Sequence, residues 1–139
     1  MKKDGCIFCM IANGEIPSPA AYEDDEFKVI LDMGPATKGH ALVLPKEHYQ
    51  DVTESPETAA KAMAVAAKIG GRMKKCLGAS GFNILANTGE SAGQTVMHMH
   101  VHIIPRYDGG DQIVSWVPGQ SDPAENARIA EMILSTPDD

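Results

Sequence analysis

Several short segments of this chain are rich in apolar residues, and in one of them, residues 98–105, histidines alternate with apolar residues at the period of a β-strand. Each segment is bounded by Gly, Pro, Asn or Asp, which favour turns and strand ends. The predicted strands are residues 27–33, 40–45, 82–87 and 98–105, with a further short strand before Phe27. Short turns or loops separate neighbouring segments except between residues 45 and 82, and antiparallel pairing is the simplest arrangement.

A long segment has the period of a helix instead. It begins near Ser55, a natural N-cap, continues through Pro56 and Glu57, and ends at Gly78. We expect Cys76, in its last turn, to be buried as a small apolar side chain. The predicted buried stripe consists of Ala59, Met63, Ala66, Ile69, Met73 and Leu77.

A second helix begins at Asp122 and Pro123, which repeat the same start signals. An antiparallel sheet with one long helix and a short C-terminal helix predicts an α+β fold. The sequence has no internal repeat, low-complexity tract or interior linker. We therefore expect one domain over residues 1–139, in which 122–139 form a helical extension.

The formal net charge of −7 argues against general affinity for nucleic acid, which needs clustered Lys and Arg. The apolar run from Cys6 to Ala12 is too short for a secretory signal, and no segment reaches the roughly 18 apolar residues of a membrane helix. Three cysteines without an export signal favour a reducing compartment. We expect a cytoplasmic protein with no nucleic-acid or membrane partner.

The segment "HMHVHIIPR" places His98, His100 and His102 at alternate positions. On a strand they project from one face, about 6 to 7 Å apart. A structural role, a histidine-only metal site and phosphorus chemistry are the three interpretations. Three alternate residues of one strand do not converge on a tetrahedral ion. We favour phosphorus chemistry, in which one imidazole attacks and a neighbour donates hydrogen bonds to phosphate oxygens.

The loop before this segment carries uncharged hydrogen-bonding side chains, Asn87, Gln94 and Thr95, among glycines. Backbone N–H groups of such a loop can hold an anion. The loop and the histidine segment together predict a phosphate-binding site.

These residues resemble a known family. His-x-His-x-His followed by two apolar residues is the signature of the histidine triad (HIT) family of nucleotide hydrolases and transferases. Four fragments in order are similar to bacterial members of its Hint-like branch: "CIFCMIANGEIPSP", "YEDDEFKVILDMGPATKGHALVLPKEH", "NTGESAGQTVMHMHVHIIPRY" and "SWVPG". The resemblance implies a HIT-like fold in which two protomers pair, each binding a nucleoside monophosphate between its sheet and the Gln94 loop.

The resemblance also implies catalytic roles. His100 would attack the α-phosphorus to give a nucleotidyl-histidine intermediate, which water then hydrolyses. His102 would hydrogen-bond a non-bridging oxygen. His98 is the third catalytic candidate, because the first triad histidine can relay a proton to the leaving group in members without the cysteines. Gln94 and Thr95 would hold the phosphate.

Further residues would surround the nucleotide. Asn87 would support the loop, and Asp32 would accept the ribose hydroxyls. His40 would orient the active-site backbone or a neighbouring group, and Trp116 would shape leaving-group specificity across the dimer. The walls of the base pocket would be Phe8, Ile11, Ile16 and Ile30, although core packing explains these four equally well.

Cys6 and Cys9 form a C-x-x-C pair, which by itself fits a redox pair, two buried thiols or half of a metal site. His48 and His98 are the nitrogens available to complete a Cys2His2 structural zinc site. The resemblance supports zinc, since HIT-like bacterial proteins and related galactose-phosphate uridylyltransferases carry it on such a set. As a zinc ligand, His98 could not freely relay protons.

We therefore expect a nucleotidyl hydrolase, such as a purine nucleoside phosphoramidase, acting on a nucleoside monophosphate joined through a phosphoramidate or phosphoanhydride. The chemistry itself demands no divalent metal. A dinucleoside polyphosphate hydrolase is the alternative enzyme, and a non-catalytic nucleotide- or zinc-binding interaction protein is the alternative from another class. An apolar pocket would discriminate little between adenine and guanine.

Overall fold

A computed structural model describes residues 1–138, so the last residue of the predicted domain lies outside the described residues. The elements in chain order are α1 (Ile7–Ala12), β1 (Tyr22–Glu23), β2 (Phe27–Leu31), β3 (Ala41–Pro45), α2 (Pro56–Cys76), β4 (Gly81–Leu85), β5 (Val101–Arg106) and α3 (Pro123–Leu134), with a 3₁₀ turn at Glu90–Ala92. The strands form one antiparallel sheet in the order β1-β2-β3-β5-β4. The predicted α+β fold is confirmed.

The two faces of the sheet have different neighbours. One face packs on α2 through the main core, formed by Phe27, Val29, Ala41, Val43, Ala62, Val65, Ala66, Ile69, Met73, Val101 and Ile103. The other face packs on α1 through a smaller cluster, formed by Phe8, Ile11, Ala12, Ile30, Leu42 and Leu44. This second face is only partly covered, and it carries the candidate active site.

The buried face of α2 is rotated from the predicted stripe. Ala62 and Val65 are buried, whereas Met63 and Leu77 are 51% and 37% exposed, so the prediction was wrong at the latter two. Cys76 is also exposed rather than buried. Alanines are spread over about half of the circumference of this helix, and the apolar period alone therefore did not select one face.

Gly70 of α2 lies where the ring of Phe82 from β4 packs against the helix. A Cβ at Gly70 would lie 2.5 to 2.7 Å from three ring atoms of Phe82. A Cβ at the adjacent Gly71 would meet nothing within 4 Å in the described chain. Close approach of the aromatic ring thus explains a glycine in the middle of a long helix.

We expect Gly70→Ala to lower the free energy of unfolding by about 1 to 3 kcal/mol, because the Phe82 ring must move. Gly71→Ala is the matched control, and it should raise stability by up to about 1 kcal/mol through better helix propensity. Urea unfolding of both variants measures the difference. Equal effects of the two substitutions would refute the packing explanation.

β5 begins at Val101, three residues after the predicted start. The backbone N–H of Met99 donates to the Tyr49 carbonyl at 2.6 Å, and the His98 ring meets the Pro45 carbonyl at 2.9 Å. These two bonds replace the regular ladder between β3 and the segment before β5. The other predicted strands agree with the structure within two residues at each end.

The C-terminal segment, residues 111–138, lies outside the core, and none of its described residues is buried. α3 begins as predicted, because the Asp122 carboxylate accepts hydrogen bonds from the N–H groups of Ala124 and Glu125. Trp116 and Ile133 are 80% and 71% exposed. Among residues 1–138, no helix has the length and hydropathy needed to cross a bilayer.

Candidate active site and metal cluster

The register of the strands places several polar side chains together on the face of the sheet opposite α2. Leu42 of β3 pairs with Ile30 on one side and with His102 on the other, so these three share a face. Asp32 lies two residues after Ile30, and His40 lies two residues before Leu42. Because side chains two residues apart on a strand share a face, Asp32 and His40 point to this same face of the sheet. The Asp32 N–H donates to the His40 carbonyl at 2.9 Å, which extends the pairing of β2 with β3.

His100 and His102 project onto this face, with ring centroids 5.0 Å apart. Val101 and Ile103 enter the core under α2 instead. The Phe8 ring from α1 packs against His100 in a T-shaped arrangement, with centroids 5.0 Å apart. The alternation expected from the sequence is present here, although His100 precedes the first residue of β5.

The backbone determines which nitrogen of His100 carries the proton. Its Nδ1 lies 2.7 Å from the His98 carbonyl, which can only accept, so Nδ1 donates its proton there. The lone pair of the neutral ring is then on Nε2. Burial lowers the pKa of His100 below its usual range, opposed by the bond to His98 and the charge of Asp32. A neutral imidazole with a free Nε2 lone pair is a suitable nucleophile.

His102 and His40 form a directly bonded pair. Nε2 of His40 lies 2.9 Å from Nδ1 of His102 and 3.6 Å from a carboxylate oxygen of Asp32. His40 is only 6% exposed. Burial and, to a smaller extent, the neighbouring His100 and His40 together lower the pKa of His102 to about 4, against the charge of Asp32. Both rings are therefore neutral at pH 7.

We expect the stability of the fold to decrease as the pH falls from about 6.5 towards 4. Over this range the unfolded chain binds a proton at His102 that the folded chain does not, because the folded pKa is about 4. Thermal unfolding across this range measures the slope. His102→Gln should have a shallower slope than wild type, and identical slopes would contradict the assignment.

Four further side chains form a compact cluster next to this site. Ligand atoms of Cys6, Cys9, His48 and His98 all lie within 4.8 Å of one another. Nδ1 of His98 lies 3.4 Å from the Cys6 sulfur, 3.5 Å from the Cys9 sulfur and 3.2 Å from Nδ1 of His48. The Cys9 sulfur lies 3.4 Å from Nδ1 of His48.

These separations fit a tetrahedral zinc ion. Zn–S and Zn–N bonds of about 2.3 and 2.05 Å place tetrahedral ligands about 3.3 Å apart for two nitrogens and about 3.6 Å for nitrogen and sulfur. The observed separations are 3.2 Å and 3.4 to 3.5 Å. Two thiols and two imidazoles are also a usual donor set for structural zinc.

Backbone groups orient this cluster. The His98 Nε2–H donates to the Pro45 carbonyl, so the Nδ1 lone pair faces the cluster. N–H groups of Lys3 and Cys9 donate to the sulfurs of Cys9 and Cys6 at 3.3 Å. The Cys6 sulfur is thereby the N-cap of α1, a helix that the sequence patterns did not predict. Both ring nitrogens of His98 therefore have partners, and its role as a proton relay stays a prediction.

Gln94 has a different position from the one expected of a phosphate ligand. It is 3% exposed, and its amide nitrogen donates to the carbonyls of Gln50 and Val96 at 2.7 and 3.0 Å. Its amide oxygen accepts from the Gly89 N–H at 2.9 Å. All three bonds are to backbone groups, so the side chain holds the loop in place. Its direct contact with phosphate stays a prediction.

The remaining predicted residues are placed as follows. Asn87 donates to the Gly93 carbonyl at 3.4 Å, which agrees with support of the loop.

Thr95 is exposed and lines a cavity of about 370 Å³ beside Cys6 and His48. Phe8, Ile11 and Ile30 lie together in the cluster between α1 and the sheet, whereas Ile16 is half-buried and Trp116 is exposed on the C-terminal segment.

The sequence reasoning missed the backbone atoms that orient the histidines. They are the carbonyls of Pro45 and His98 and the N–H of Ala36, which lies 2.9 Å from Nδ1 of His40. Every residue except proline has the same backbone N–H and carbonyl groups, so the sequence does not show which of them will contact a histidine. The only available signal was that three histidines in one short segment need partners for six ring nitrogens.

Comparison with known proteins gives the family. The model of the HIT domain matches residues 13–109, and this chain belongs to the HIT family. It is 45% identical over 111 residues to an uncharacterized HIT-like protein of Methanocaldococcus jannaschii, covering 80% of this chain and 86% of that one. It is 42% identical over 105 residues to adenylylsulfatase HINT3 of Arabidopsis thaliana, covering 75% of this chain and 53% of that one.

Solved structures agree with this assignment. A Streptococcus mutans protein superposes with a TM-score of 0.90 at 40% identity, covering 96% of this chain and 85% of that one. A Zn-bound histidine triad family protein of Mycobacterium smegmatis superposes with a TM-score of 0.74 at 38% identity, covering 95% of this chain and 98% of that one. The predicted membership of the HIT family is confirmed.

Proposed function

We propose that this chain hydrolyses nucleoside 5′-monophosphate derivatives at the α-phosphorus through a covalent intermediate on His100. The observation that carries the proposal is the 2.7 Å bond from His100 Nδ1 to the His98 carbonyl, which directs the Nε2 lone pair away from the backbone. Burial keeps the ring neutral at pH 7, as a nucleophile requires.

The reaction has two displacements. Nε2 of His100 attacks the α-phosphorus, a P–N bond to the ring forms, and the bond to the leaving group breaks. The leaving group takes both bonding electrons and, if it is an amine, a proton from water. Water then attacks phosphorus, breaks the P–N bond and releases the nucleoside monophosphate with a proton. The cationic phosphohistidine keeps phosphorus electrophilic for this second step.

The nucleotide would lie on the partly covered face of the sheet. Asp32 would accept the ribose hydroxyls, and Phe8, Ile11 and Ile30 would contact the base. The Arabidopsis relative is named an adenylylsulfatase, which supports an adenylyl group as one accepted nucleotide. Phosphoramidates are the proposed preferred substrates, because a neutral imidazole readily displaces an amine that is protonated as it leaves.

Zinc is part of the proposal as a structural ion. Cys6, Cys9, His48 and His98 would hold it, and the ion would join the start of α1 to the segments that follow β3 and precede β5. The same residue, His98, supplies the carbonyl that orients His100. Thiolate ligands at Cys6 and Cys9 would fit a cytoplasmic location, because a reducing compartment keeps cysteines out of disulfides.

A homodimer is also proposed. A twelve-residue helix is marginally stable alone in water, yet α3 has no buried residue in the described chain. Ile129, Met132 and Ile133 are exposed along it, and β4 has no strand on its outer side among the described residues. A second copy would cover these surfaces. Sedimentation equilibrium should give twice the chain mass, and a monomer at all concentrations would overturn the dimer.

The experiment that tests the activity compares three substrates with the purified wild-type chain. Adenosine 5′-phosphoramidate, adenylyl sulfate and diadenosine tetraphosphate are each followed by release of adenosine monophosphate. The highest kcat/KM on the phosphoramidate is expected. Turnover of the dinucleotide alone would favour the polyphosphate hydrolase instead. Nucleotide binding without any turnover would overturn the proposal in favour of a non-catalytic binding protein.

A further inference from the structure

We propose that His40 is a positioning residue that fixes the tautomer of His102, so that His102 presents an Nε2–H donor to the substrate phosphate. This inference rests on the proposed function for its consequence, but the tautomer itself is a property of the resting protein. It makes the orienting role expected for His40 specific, because it names His102 as the group that His40 orients, and it requires no contact between His40 and the substrate.

The chain of hydrogen bonds begins at the backbone. The Ala36 N–H lies 2.9 Å from Nδ1 of His40 with the geometry of a donor. A backbone N–H can only donate, so Nδ1 of His40 must carry a lone pair. A neutral imidazole has one proton, and in His40 that proton is therefore on Nε2. His40 is 6% exposed, so solvent offers Nδ1 no alternative partner.

The hydrogen bond between His40 and His102 then determines where His102 carries its proton. Nε2 of His40 lies 2.9 Å from Nδ1 of His102. Because Nε2 of His40 is the donor, Nδ1 of His102 must accept, and the single proton of His102 is then on its Nε2. Asp32 stabilises the polarised donor, since one carboxylate oxygen lies 3.6 Å from His40 Nε2 and the other accepts from the Gly34 N–H at 2.8 Å.

The two triad histidines consequently hold opposite tautomers. His100 has its proton on Nδ1, bound to the His98 carbonyl, and its lone pair on Nε2. His102, whose ring centroid is 5.0 Å away, has its lone pair on Nδ1 and its proton on Nε2. One ring can therefore attack phosphorus while the adjacent ring donates to a phosphate oxygen. Without His40, tautomers with an Nε2 lone pair would repel the anionic phosphate.

The same three side chains could be taken for a second metal site. Ligand atoms of Asp32, His40 and His102 lie within 4.8 Å of one another, and two imidazoles with one carboxylate can bind iron. A metal on Nε2 of neutral His40 would require the proton on Nδ1. That position already accepts the Ala36 N–H, so the two N–H groups would oppose each other. The backbone donor therefore favours the proton chain over a metal ion.

The test reads the tautomers directly. In protein labelled with ¹⁵N-histidine at pH 7, NMR should show His102 protonated at Nε2 and His100 protonated at Nδ1. His40→Leu removes the donor and should give a mixture of tautomers at His102. His40→Gln retains an amide N–H and should restore the wild-type pattern. Thr37→Val is the matched control, because it removes a hydrogen bond to the Pro105 carbonyl in the same loop.

Turnover by the same variants is the second test of the inference. We expect His40→Leu to lower kcat by about 10- to 100-fold with little change in KM, which is less than the roughly 10²- to 10³-fold typical of deleting an oxyanion donor. His40→Gln should recover most of kcat, and Thr37→Val should retain it.

An Nδ1 proton on wild-type His102, or an unchanged pattern in His40→Leu, would overturn the inference whatever the activity. Absence of turnover in the wild-type protein with the expected tautomers would instead refute the proposed function alone.

Discussion

His100→Ala should lower turnover of the phosphoramidate by at least about 10³-fold while nucleotide binding persists. The alanine removes Nε2, the atom proposed to form the bond to phosphorus. Asp32, Phe8 and Ile30 remain to hold the nucleoside, so the dissociation constant for adenosine monophosphate should change little. Stopped reactions and binding titrations measure the two quantities separately.

The covalent intermediate gives an independent check on this result. Wild-type protein quenched in base during turnover should contain a fraction of chains heavier by one nucleotidyl group, because phosphohistidine is labile in acid. His100→Ala should contain none. His100→Gly with added imidazole should regain part of the activity, since free imidazole can enter the vacated space. A variant as active as wild type would remove His100 from the mechanism.

Loss of the proposed zinc ion should have the largest effect on stability. Cys9→Ala removes a buried ligand that lies 3.4 to 3.5 Å from both imidazoles of the cluster. We expect it to abolish zinc binding and to lower Tm by roughly 10 °C or more, because structural zinc contributes directly to folding free energy. Elemental analysis and thermal unfolding measure the two effects.

Cys76→Ser is the matched control for this experiment. Its thiol is exposed at the end of α2 and lies outside the cluster, so zinc content and Tm should match wild type. Wild-type protein purified without chelator should contain about one zinc per chain. Much less zinc, or equal Tm values for the two cysteine variants, would refute a structural metal site.

Cys9→Ala should also lower activity, although Cys9 lies outside the proposed reaction. His98 joins the two centres, because its Nδ1 faces the cluster and its carbonyl receives the proton of His100 Nδ1. Movement of His98 would free His100 to exchange tautomers. The predicted loss is therefore in kcat, and the NMR signals of His100 should report it.

The sequence was sufficient for the parts of the fold that depend on local pattern. Short apolar segments bounded by turn residues located β2, β3 and β4, and the capping residues Ser55 and Asp122 located α2 and α3. α1 was not predicted because its cap is a cysteine sulfur, which is not a usual capping group. The chemistry of the metal cluster, rather than helix propensity, determines where that helix starts.

The sequence predicted which residues belong to the candidate site better than it predicted how they contact one another. The sequence brought out His40 and His102 as separate candidates, but their bond depends on strand order and register across 62 residues. Gln94 shows the same limit, because an amide side chain fits either a phosphate or three backbone groups, and only the folded loop distinguishes them. Spacing along the chain contains no information of this kind.

The exposed helix α3 makes helix content a reporter of association. With none of its residues buried, its amide protons should exchange with solvent almost as fast as those of a free peptide when chains are dilute. If a second copy covers Ile129, Met132 and Ile133, protection in residues 123–134 will rise with protein concentration, while protection in the sheet stays constant. The C-terminal helix would then melt at a temperature that depends on dilution.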